Sequence, residues 1–248
     1  MTDLTGRSAL VTGGAGGIGA ACARMLADRG ARVTIADVDE VAAKELASEL
    51  HGESWAVDLS DVAALENLTL DTDILINNAG IQTVSAIVDF DPTAFRRIQT
   101  LMVEAPFLLV RAALPHMYSR GFGRIVNISS VHGLRASAFK VAYVTAKHGL
   151  EGLSKVTALE GGPHGVTSNC VNPGYVRTPL VEKQVTDQAA AHGIPEEEVL
   201  QQVMLAESAI KRLVEPSEVA SLVGWLTSAD AGMVTGASYA MDGGWSAK

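Results

Sequence analysis

Short apolar runs alternate with longer segments of helical periodicity along most of the chain. This alternation is typical of a parallel sheet covered by helices on both faces. The predicted strands are Ser8–Thr12, Arg32–Ala36, Ser54–Val57, Ile74–Ile76, Arg124–Ile128, Val166–Val171 and Ala237–Met241. We therefore expect an α/β fold with a mostly parallel, seven-stranded sheet.

Helices are predicted between these strands, because apolar residues recur there at helical spacing. The first runs to about Arg29, and the others are Glu40–Leu50, roughly Thr93–Arg120 and Ala142–Glu160. Pro106 and Pro115 are predicted to kink the third, since proline donates no backbone hydrogen bond. We find no repeat, low-complexity tract or linker, so residues 1–248 are expected to form a single domain.

The segment Thr178–Arg212 breaks the pattern, because it is longer than a normal crossover and mostly helical, with an interruption at Gly193–Pro195. Segments at the carboxyl ends of parallel strands are where such folds bind ligands. We interpret it as a helical substrate lid. The alternative is a helical excursion without a role in binding.

Composition excludes some function classes. The 19 basic and 28 acidic residues give a net charge of −9, whereas nucleic-acid binding needs a dense cationic surface. No uninterrupted apolar run reaches the ~20 residues that span a bilayer, and no signal peptide precedes the first strand. Cys22 and Cys170 are far apart and are expected to be buried free thiols. We expect a cytoplasmic protein that binds neither nucleic acid nor membranes.

A glycine-rich turn, GGAGGIG from Gly13 to Gly19, joins the first strand to the first helix. Glycines let the backbone approach a pyrophosphate, which the free amides of a helix start stabilise. Asp37 ends the second strand about 20 residues later, where it can accept hydrogen bonds from ribose hydroxyls and repel a 2′-phosphate. Ala36 and Val38 offer no cation for that phosphate, so we predict NAD rather than NADP. The alternative for Asp37 is a helix N-cap.

A second set of motifs carries chemistry. Strand four ends in NNAG (77–80), strand five ends before Ser129 and Ser130, and a helix then carries Tyr143 and Lys147 four residues apart. Residues at this spacing share one helix face. An ammonium beside a phenol is expected to lower the phenol's pKa toward the range of a general acid or base.

The glycine-rich turn, NNAG, Ser130, the Tyr-x-x-x-Lys helix, Pro173-Gly174 and Asp242-Gly243-Gly244 together resemble the short-chain dehydrogenase/reductase family over nearly the whole chain. The resemblance implies a doubly wound Rossmann fold and catalysis by Ser130, Tyr143 and Lys147. It also implies a cofactor site formed by Gly13, Gly17, Ile18, Gly19, Asp37, Asp58, Leu59, Asn77, Gly80, Tyr143, Lys147, Pro173, Val176 and Thr178. Family members are commonly tetramers, so a homotetramer is expected.

One position departs from the family pattern. Met102 stands where the family usually has an asparagine that helps to hold a water linking the lysine to solvent. Part of that role belongs to a backbone carbonyl, which methionine also has, so activity is compatible with this change. The region between Asp58 and Asp73 is also shortened, away from the chemistry.

Four residues beside the reacting centre suggest a pocket for a small anionic hydroxy or keto acid: Gln82, His132, Lys140 and Gln184. SVHGL, AYVTAKHGL and TPLVEKQ are similar to local sequences of bacterial D-3-hydroxybutyrate dehydrogenases. The resemblance implies oxidation of (R)-3-hydroxybutyrate, with Lys140 neutralising the carboxylate and Tyr175 against the methyl group. A sugar, polyol or 3-oxoacyl substrate is the alternative within the family. A catalytically silent NAD-binding regulator is the alternative of another class.

Overall fold

The computed structural model describes residues 3–247, which form a seven-stranded sheet with helices on both faces. The strands are β1 (Ser8–Thr12), β2 (Arg32–Asp37), β3 (Glu53–Ala56), β4 (Ile74–Asn77), β5 (Gly123–Ile128), β6 (Val166–Pro173) and β7 (Ser238–Met241). All six strand pairs are parallel. The predicted sheet is confirmed, with shifts of one or two residues at half of the strand ends.

The order of the strands creates the place for a site. It is β3-β2-β1-β4-β5-β6-β7, so the chain builds outward from β1 on one side and then crosses over to β4 on the other. In such sheets, ligands bind at the carboxyl ends of the strands, where the order reverses. Every residue of β4, β5 and β6 is buried, as is usual for central strands covered on both faces.

The helices cover the two faces of the sheet over separate apolar cores. They are α1 (Gly17–Asp28), α2 (Glu40–Glu49), α3 (Pro92–Gln99), α4 (Ala105–Arg120), α5 (Val141–Gly161), α6 (Pro179–His192), α7 (Glu196–Val199) and α8 (Pro216–Leu226). Cys22 lies on the buried face of α1, and Cys170 lies in β6. Both are buried free thiols, as predicted.

The long predicted helix Thr93–Arg120 is interrupted by a π turn rather than bent at both prolines. Thr100–Glu104 forms this wider turn between α3 and α4. Pro106 has no N–H to donate to the carbonyl of Met102, which favours a shift of the helical hydrogen bonds by one residue. Pro115, in contrast, is accommodated inside α4.

By length and composition alone, the stretch Pro92–Arg120 could cross a membrane. Half of its most apolar part is buried inside the domain. A core helix passes the same test, and this helical stretch packs against the sheet and α5. Its hydropathy is therefore weak evidence for a membrane span.

The 178–212 segment forms a separate helical layer at one end of the sheet. It contains α6, α7 and a π turn at Leu200–Met204, and Gly193 ends α6 in the left-handed conformation. A small apolar cluster that includes Val199, Met204 and Leu213 packs the segment together. Its role as a lid stays a prediction.

Candidate active site

A cleft of about 420 Å³ opens at the carboxyl ends of the strands. Its walls come from the turn after β1, the segments that follow β2, β4, β5 and β6, the start of α5 and the first turns of α6. Most of the predicted site residues line it: Gly13, Gly17, Ile18, Asp37, Gly80, Gln82, Ser130, His132, Lys140, Tyr143, Lys147, Pro173, Tyr175, Val176, Thr178 and Gln184. Residues widely separated in sequence therefore meet in one place.

The glycine-rich turn has the shape that a dinucleotide pyrophosphate needs. Gly13 and Gly17 both adopt positive φ angles, +57° and +53°. A Cβ on Gly19 would lie 2.1 Å from the carbonyl oxygen of Gly13, so only glycine lets α1 approach the turn this closely. The start of α1 has no side-chain cap and no acidic residue in its first turn. Its free amides are thus available for an anion.

Asp37 closes the adenosine end of the cleft. Its carboxylate accepts hydrogen bonds from the backbone amides of Ala15 and Asp39, at 3.0 and 3.1 Å. The N-cap of α2 is Asp39, which accepts from the amide of Ala42, so the alternative role for Asp37 is wrong. Among the side chains that the structure describes, the lysines that line the cleft are Lys140 and Lys147, both at the opposite end.

The predicted contact of Asn77 with the cofactor needs a correction. The Asn77 side chain is buried within the sheet, where its amide donates to Asn127 at 2.9 Å. The neighbouring Asn78 lines the cleft instead and donates to the carbonyl oxygens of Thr12 and Gly13 at 2.9 and 3.0 Å. Successive side chains of a strand point to opposite faces, and the doubled Asn-Asn motif does not say which one faces the ligand.

Asp58, Leu59 and Gly19 also lie outside the lining of the cleft. The Asp58 carboxylate accepts from the amide and hydroxyl of Ser60, and Leu59 packs into the core. Gly19 contributes to the site by letting α1 approach the carbonyl oxygen of Gly13 closely. A contact of Asp58 or Leu59 with the adenine stays a prediction.

Thr178 lies at the junction of the cleft and α6. Its hydroxyl caps α6 by accepting from the amide of Val181, and a Cβ on Gly17 would lie 3.1 Å from the Thr178 methyl. The first turn of α6 therefore faces the glycine-rich turn across the cleft. Pro173, at the end of β6, and Val176 complete this wall.

Ser130, Tyr143 and Lys147 come together at the floor of the cleft. The Lys147 ammonium donates to the Ile128 carbonyl at 2.6 Å and lies 5.5 Å from the centre of the Tyr143 ring. Ser130 follows β5, and its side chain forms a hydrogen bond with Tyr143. The predicted catalytic trio is thus assembled from the carboxyl end of β5 and one face of α5.

The electrostatics of the trio differ from the expectation. Burial raises the pKa of Tyr143 to about 12, and the hydrogen bond with Ser130 offsets this only in part. Burial also lowers the pKa of Lys147 to about 8, while the neighbouring Cys170 and Glu151 act in the opposite direction. Desolvation therefore dominates the pKa of Tyr143, and the phenol is neutral.

Lys140 is a buried cation at the substrate end. Its side chain is almost wholly enclosed, and its ammonium donates to the Tyr175 hydroxyl at 2.9 Å. Within residues 3–247, no ion pair with a carboxylate involves Lys140. Burial lowers its pKa to about 8. An enclosed ammonium without a counter-ion is costly unless a ligand supplies one.

Polar side chains surround this cation. Gln82 lines the cleft, and its buried amide nitrogen has no hydrogen-bond partner among the described residues. His132 is held by Ser137 at 2.9 Å, a contact the sequence did not suggest. Burial, followed by the charge of Lys140, lowers the pKa of His132 to about 3, so the ring is neutral. Gln184 reaches the same region from α6.

Met102 lies in the π turn and is buried against Ile98, Ala142 and Ala146. It therefore supports the part of α5 that carries Tyr143 and Lys147. Its methyl group lies 3.5 Å from the position that a Cβ on Gly80 would take. Methionine thus fills the space between the NNAG turn and α5 without adding a polar side chain.

Comparison with known proteins agrees with this geometry. A family model described as enoyl-(acyl carrier protein) reductase matches residues 13–246. The chain is 43% identical to a D-beta-hydroxybutyrate dehydrogenase of Rhizobium meliloti, over 98% of this chain and 99% of the relative. The chain belongs to the short-chain dehydrogenase/reductase family. Its fold and its nicotinamide cofactor follow from that membership.

Two further matches show the range within the family. A D-beta-hydroxybutyrate dehydrogenase of Cupriavidus necator is 41% identical, with 99% of this chain and 100% of the relative covered. A solved structure of a putative NAD(P)-dependent gluconate 5-dehydrogenase from Beutenbergia cavernae, with bound NADP at low occupancy, is 31% identical, with 99% of each chain covered and a TM-score of 0.87. As a member of this family, the chain itself is an oxidoreductase that acts on hydroxy groups.

Proposed function

We propose that the protein is an NAD-dependent dehydrogenase that interconverts (R)-3-hydroxybutyrate and acetoacetate. The observation that carries this proposal is the enclosed Lys140 ammonium, which has no carboxylate partner among the described residues and faces the same cleft as Ser130 and Tyr143. A carboxylate two bonds from the reacting carbon of a small acid would supply the missing counter-ion.

The neighbouring side chains support an anion rather than a sugar. The unpartnered amide of Gln82 is a donor, and neutral His132 and Gln184 add polar contacts without adding negative charge. Tyr175 keeps its proton, because burial raises its pKa to about 12. Its hydroxyl can accept from Lys140 and donate to a ligand carboxylate at the same time. In this proposal Tyr175 therefore binds the substrate carboxylate, whereas the sequence resemblance implied an apolar contact with the methyl group.

Ser130, Tyr143 and Lys147 are the catalytic residues in this proposal. When bound, oxidised nicotinamide would supply the acceptor for the hydride of the alcohol carbon. Ser130 orients the substrate oxygen, and Tyr143 takes the hydroxyl proton in oxidation or returns it in reduction. Lys147 holds the nicotinamide ribose and keeps a positive charge beside the phenol.

The preference for NAD rests on Asp37. Its carboxylate lies at the adenosine end, where Asp39 adds a second acid. The described lysines of the cleft, Lys140 and Lys147, lie at the opposite end. A 2′-phosphate would be repelled there, whereas ribose hydroxyls can donate to Asp37. The carboxylate therefore favours NAD.

The test is an NAD-linked assay of four compounds: (R)-3-hydroxybutyrate, its (S) enantiomer, the methyl ester of the (R) acid and a polyol of similar size. The ester keeps the reacting centre and removes the charge. We expect kcat/KM for the (R) acid to exceed that for its ester about 100-fold, the upper range for a charge-assisted hydrogen bond. Equal turnover of acid and ester would overturn the proposed substrate class.

A further inference from the structure

A buried carboxylate, that of Glu151, lies behind the catalytic residues. Glu151 lies on α5 one turn after Lys147, and only 4% of its surface is exposed. Among the described residues it forms no ion pair within 4 Å of a cation. A buried carboxylate is retained at a cost in solvation, which calls for a reason.

Both carboxylate oxygens of Glu151 accept hydrogen bonds from side chains of the sheet. Oε1 accepts from the Asn172 amide of β6 at 2.5 Å, and Oε2 accepts from the Ser238 hydroxyl of β7 at 2.6 Å. The same Asn172 nitrogen donates to the backbone carbonyl of Ser130 at 2.9 Å. Glu151 thus orients the group that anchors the backbone of the catalytic serine.

Packing leaves this arrangement little freedom. A Cβ on Gly133 would lie 2.9 Å from Oε1 of Glu151 and 2.5 Å from the Ser129 hydroxyl. The loop that carries Ser130 therefore rests directly on the Glu151 carboxylate. Asn172 is wholly buried, so the contact is shielded from bulk solvent.

Glu151 also acts on Lys147. The titratable groups that affect Lys147 within the described chain are Tyr143 and Glu151 on α5 and Cys170 on β6. Cys170 lies close to both Glu151 and Lys147, and burial raises the pKa of its thiol above the ordinary range, so it is neutral. The negative charge that favours protonated Lys147 in this enclosed region is therefore that of Glu151.

We propose that Glu151 is a positioning residue with two roles: through Asn172 it fixes the backbone of Ser130, and through its charge it keeps Lys147 protonated. The inference rests on the proposed roles of Ser130, Tyr143 and Lys147, and it is independent of which small ketone is the substrate.

The experiment measures kcat for the reduction of methyl acetoacetate, an uncharged ketone that does not need the Lys140 ammonium. In this direction both Tyr143 and Lys147 must carry their protons. Reduction should be constant at low pH and fall above about 8, where Lys147 loses its proton. In Glu151→Gln, which keeps an acceptor oxygen and removes the charge, we expect this fall to move down by about one pH unit. At pH values above both limbs the rate would then be about tenfold lower than in the parent enzyme.

Two matched variants separate charge from hydrogen bonding. Glu151→Asp keeps the charge but is too short for the Asn172 contact, so its rate should fall at every pH while the limb keeps its position. Glu160→Gln removes an exposed acid from the same helix and should leave the profile unchanged. If Glu151→Gln does not fold, Glu151→Val with Asn172→Val removes both buried polar partners and permits the same measurement.

The outcomes distinguish the two proposals. A parent enzyme without activity on any ketone, or with activity that survives Tyr143→Phe, contradicts the proposed function. A parent enzyme that needs Tyr143 and shows the alkaline limb, with that limb unmoved in Glu151→Gln, overturns the role of Glu151 in holding the proton on Lys147.

Discussion

The Lys140 ammonium and the Tyr175 hydroxyl are joined by a 2.9 Å hydrogen bond inside the cleft. Lys140 comes from the loop before α5, and Tyr175 follows β6, so the bond connects two walls of the site. Both side chains are largely enclosed, and the cation also lies 4.8 Å from the centre of the Tyr175 ring. The pair presents a positive charge and a hydroxyl proton toward the space beside Ser130 and Tyr143.

Replacing Lys140 with methionine should weaken the binding of acids specifically. The substitution keeps most of the side-chain volume and removes the charge, so kcat/KM for (R)-3-hydroxybutyrate should fall about 10- to 100-fold. Turnover of the uncharged methyl ester should change little. Steady-state kinetics on both substrates measure the difference, with Lys155→Met on the exposed face of α5 as control. An equal loss on acid and ester would argue against a carboxylate at Lys140.

The affinity for acids should depend on pH through Lys140. Its pKa in the folded protein is about 8, below the ordinary value of 10.5. The ammonium needed to bind a carboxylate is therefore present below pH 8 and is lost as the pH rises above it. KM for the hydroxy acid should rise about tenfold per pH unit above 8, and KM for the ester should stay constant. A flat KM for the acid up to pH 10 would contradict the assignment.

Removing the Tyr175 hydroxyl should raise KM rather than lower kcat. In Tyr175→Phe a neutral donor to the carboxylate is lost, and a hydrogen bond of this kind contributes about 1 kcal/mol. We expect KM for the acid to rise about 5-fold with kcat unchanged. The control is Tyr239→Phe, which alters a tyrosine of β7 that packs against Trp225 of α8. A lower KM in Tyr175→Phe would mean that the hydroxyl competes with the substrate for Lys140.

Tyr143→Phe should abolish turnover while leaving cofactor binding intact. Phenylalanine fills the same space but cannot exchange a proton with the substrate, and general acid–base catalysis contributes roughly 10²- to 10⁴-fold. We expect a loss of that size in kcat, with the dissociation constant for NADH, measured by fluorescence titration, within about threefold of the parent. Retention of a tenth or more of the activity would exclude Tyr143 as the acid or base.

Cofactor preference should respond to the adenosine end of the cleft. Asp37→Ser removes the carboxylate that would repel a 2′-phosphate, and kcat/KM with NADP should rise about tenfold while that with NAD falls. Val38 is 74% exposed, so adding Val38→Arg places a cation there and should favour NADP outright. Glu45→Gln, an exposed change on α2, serves as control. A parent enzyme that already prefers NADP would refute the assigned role of Asp37.

Local patterns in the sequence determined much of the molecule. Runs such as Ala9–Val11 and Ile125–Ile128 are apolar enough to specify strands without reference to their neighbours, and the spacing of Tyr143 and Lys147 fixes one helix face. The glycine-rich turn likewise follows from short-range backbone requirements. These features need no knowledge of what lies across the sheet.

Other features were decided by tertiary structure. Which of Asn77 and Asn78 faces the cleft depends on how β4 is oriented between its neighbours, and the π turn depends on how α3 and α4 both pack against α5. The pKa of Tyr143 rises because the surrounding residues exclude water, which no spacing of Tyr and Lys reports. Glu151 looks like any helix-surface acid in the sequence, and its burial against Asn172 and Ser238 exists only once β6 and β7 lie beside α5. Short-range geometry is written in consecutive residues, whereas desolvation and long-range hydrogen bonds arise from what the fold brings together.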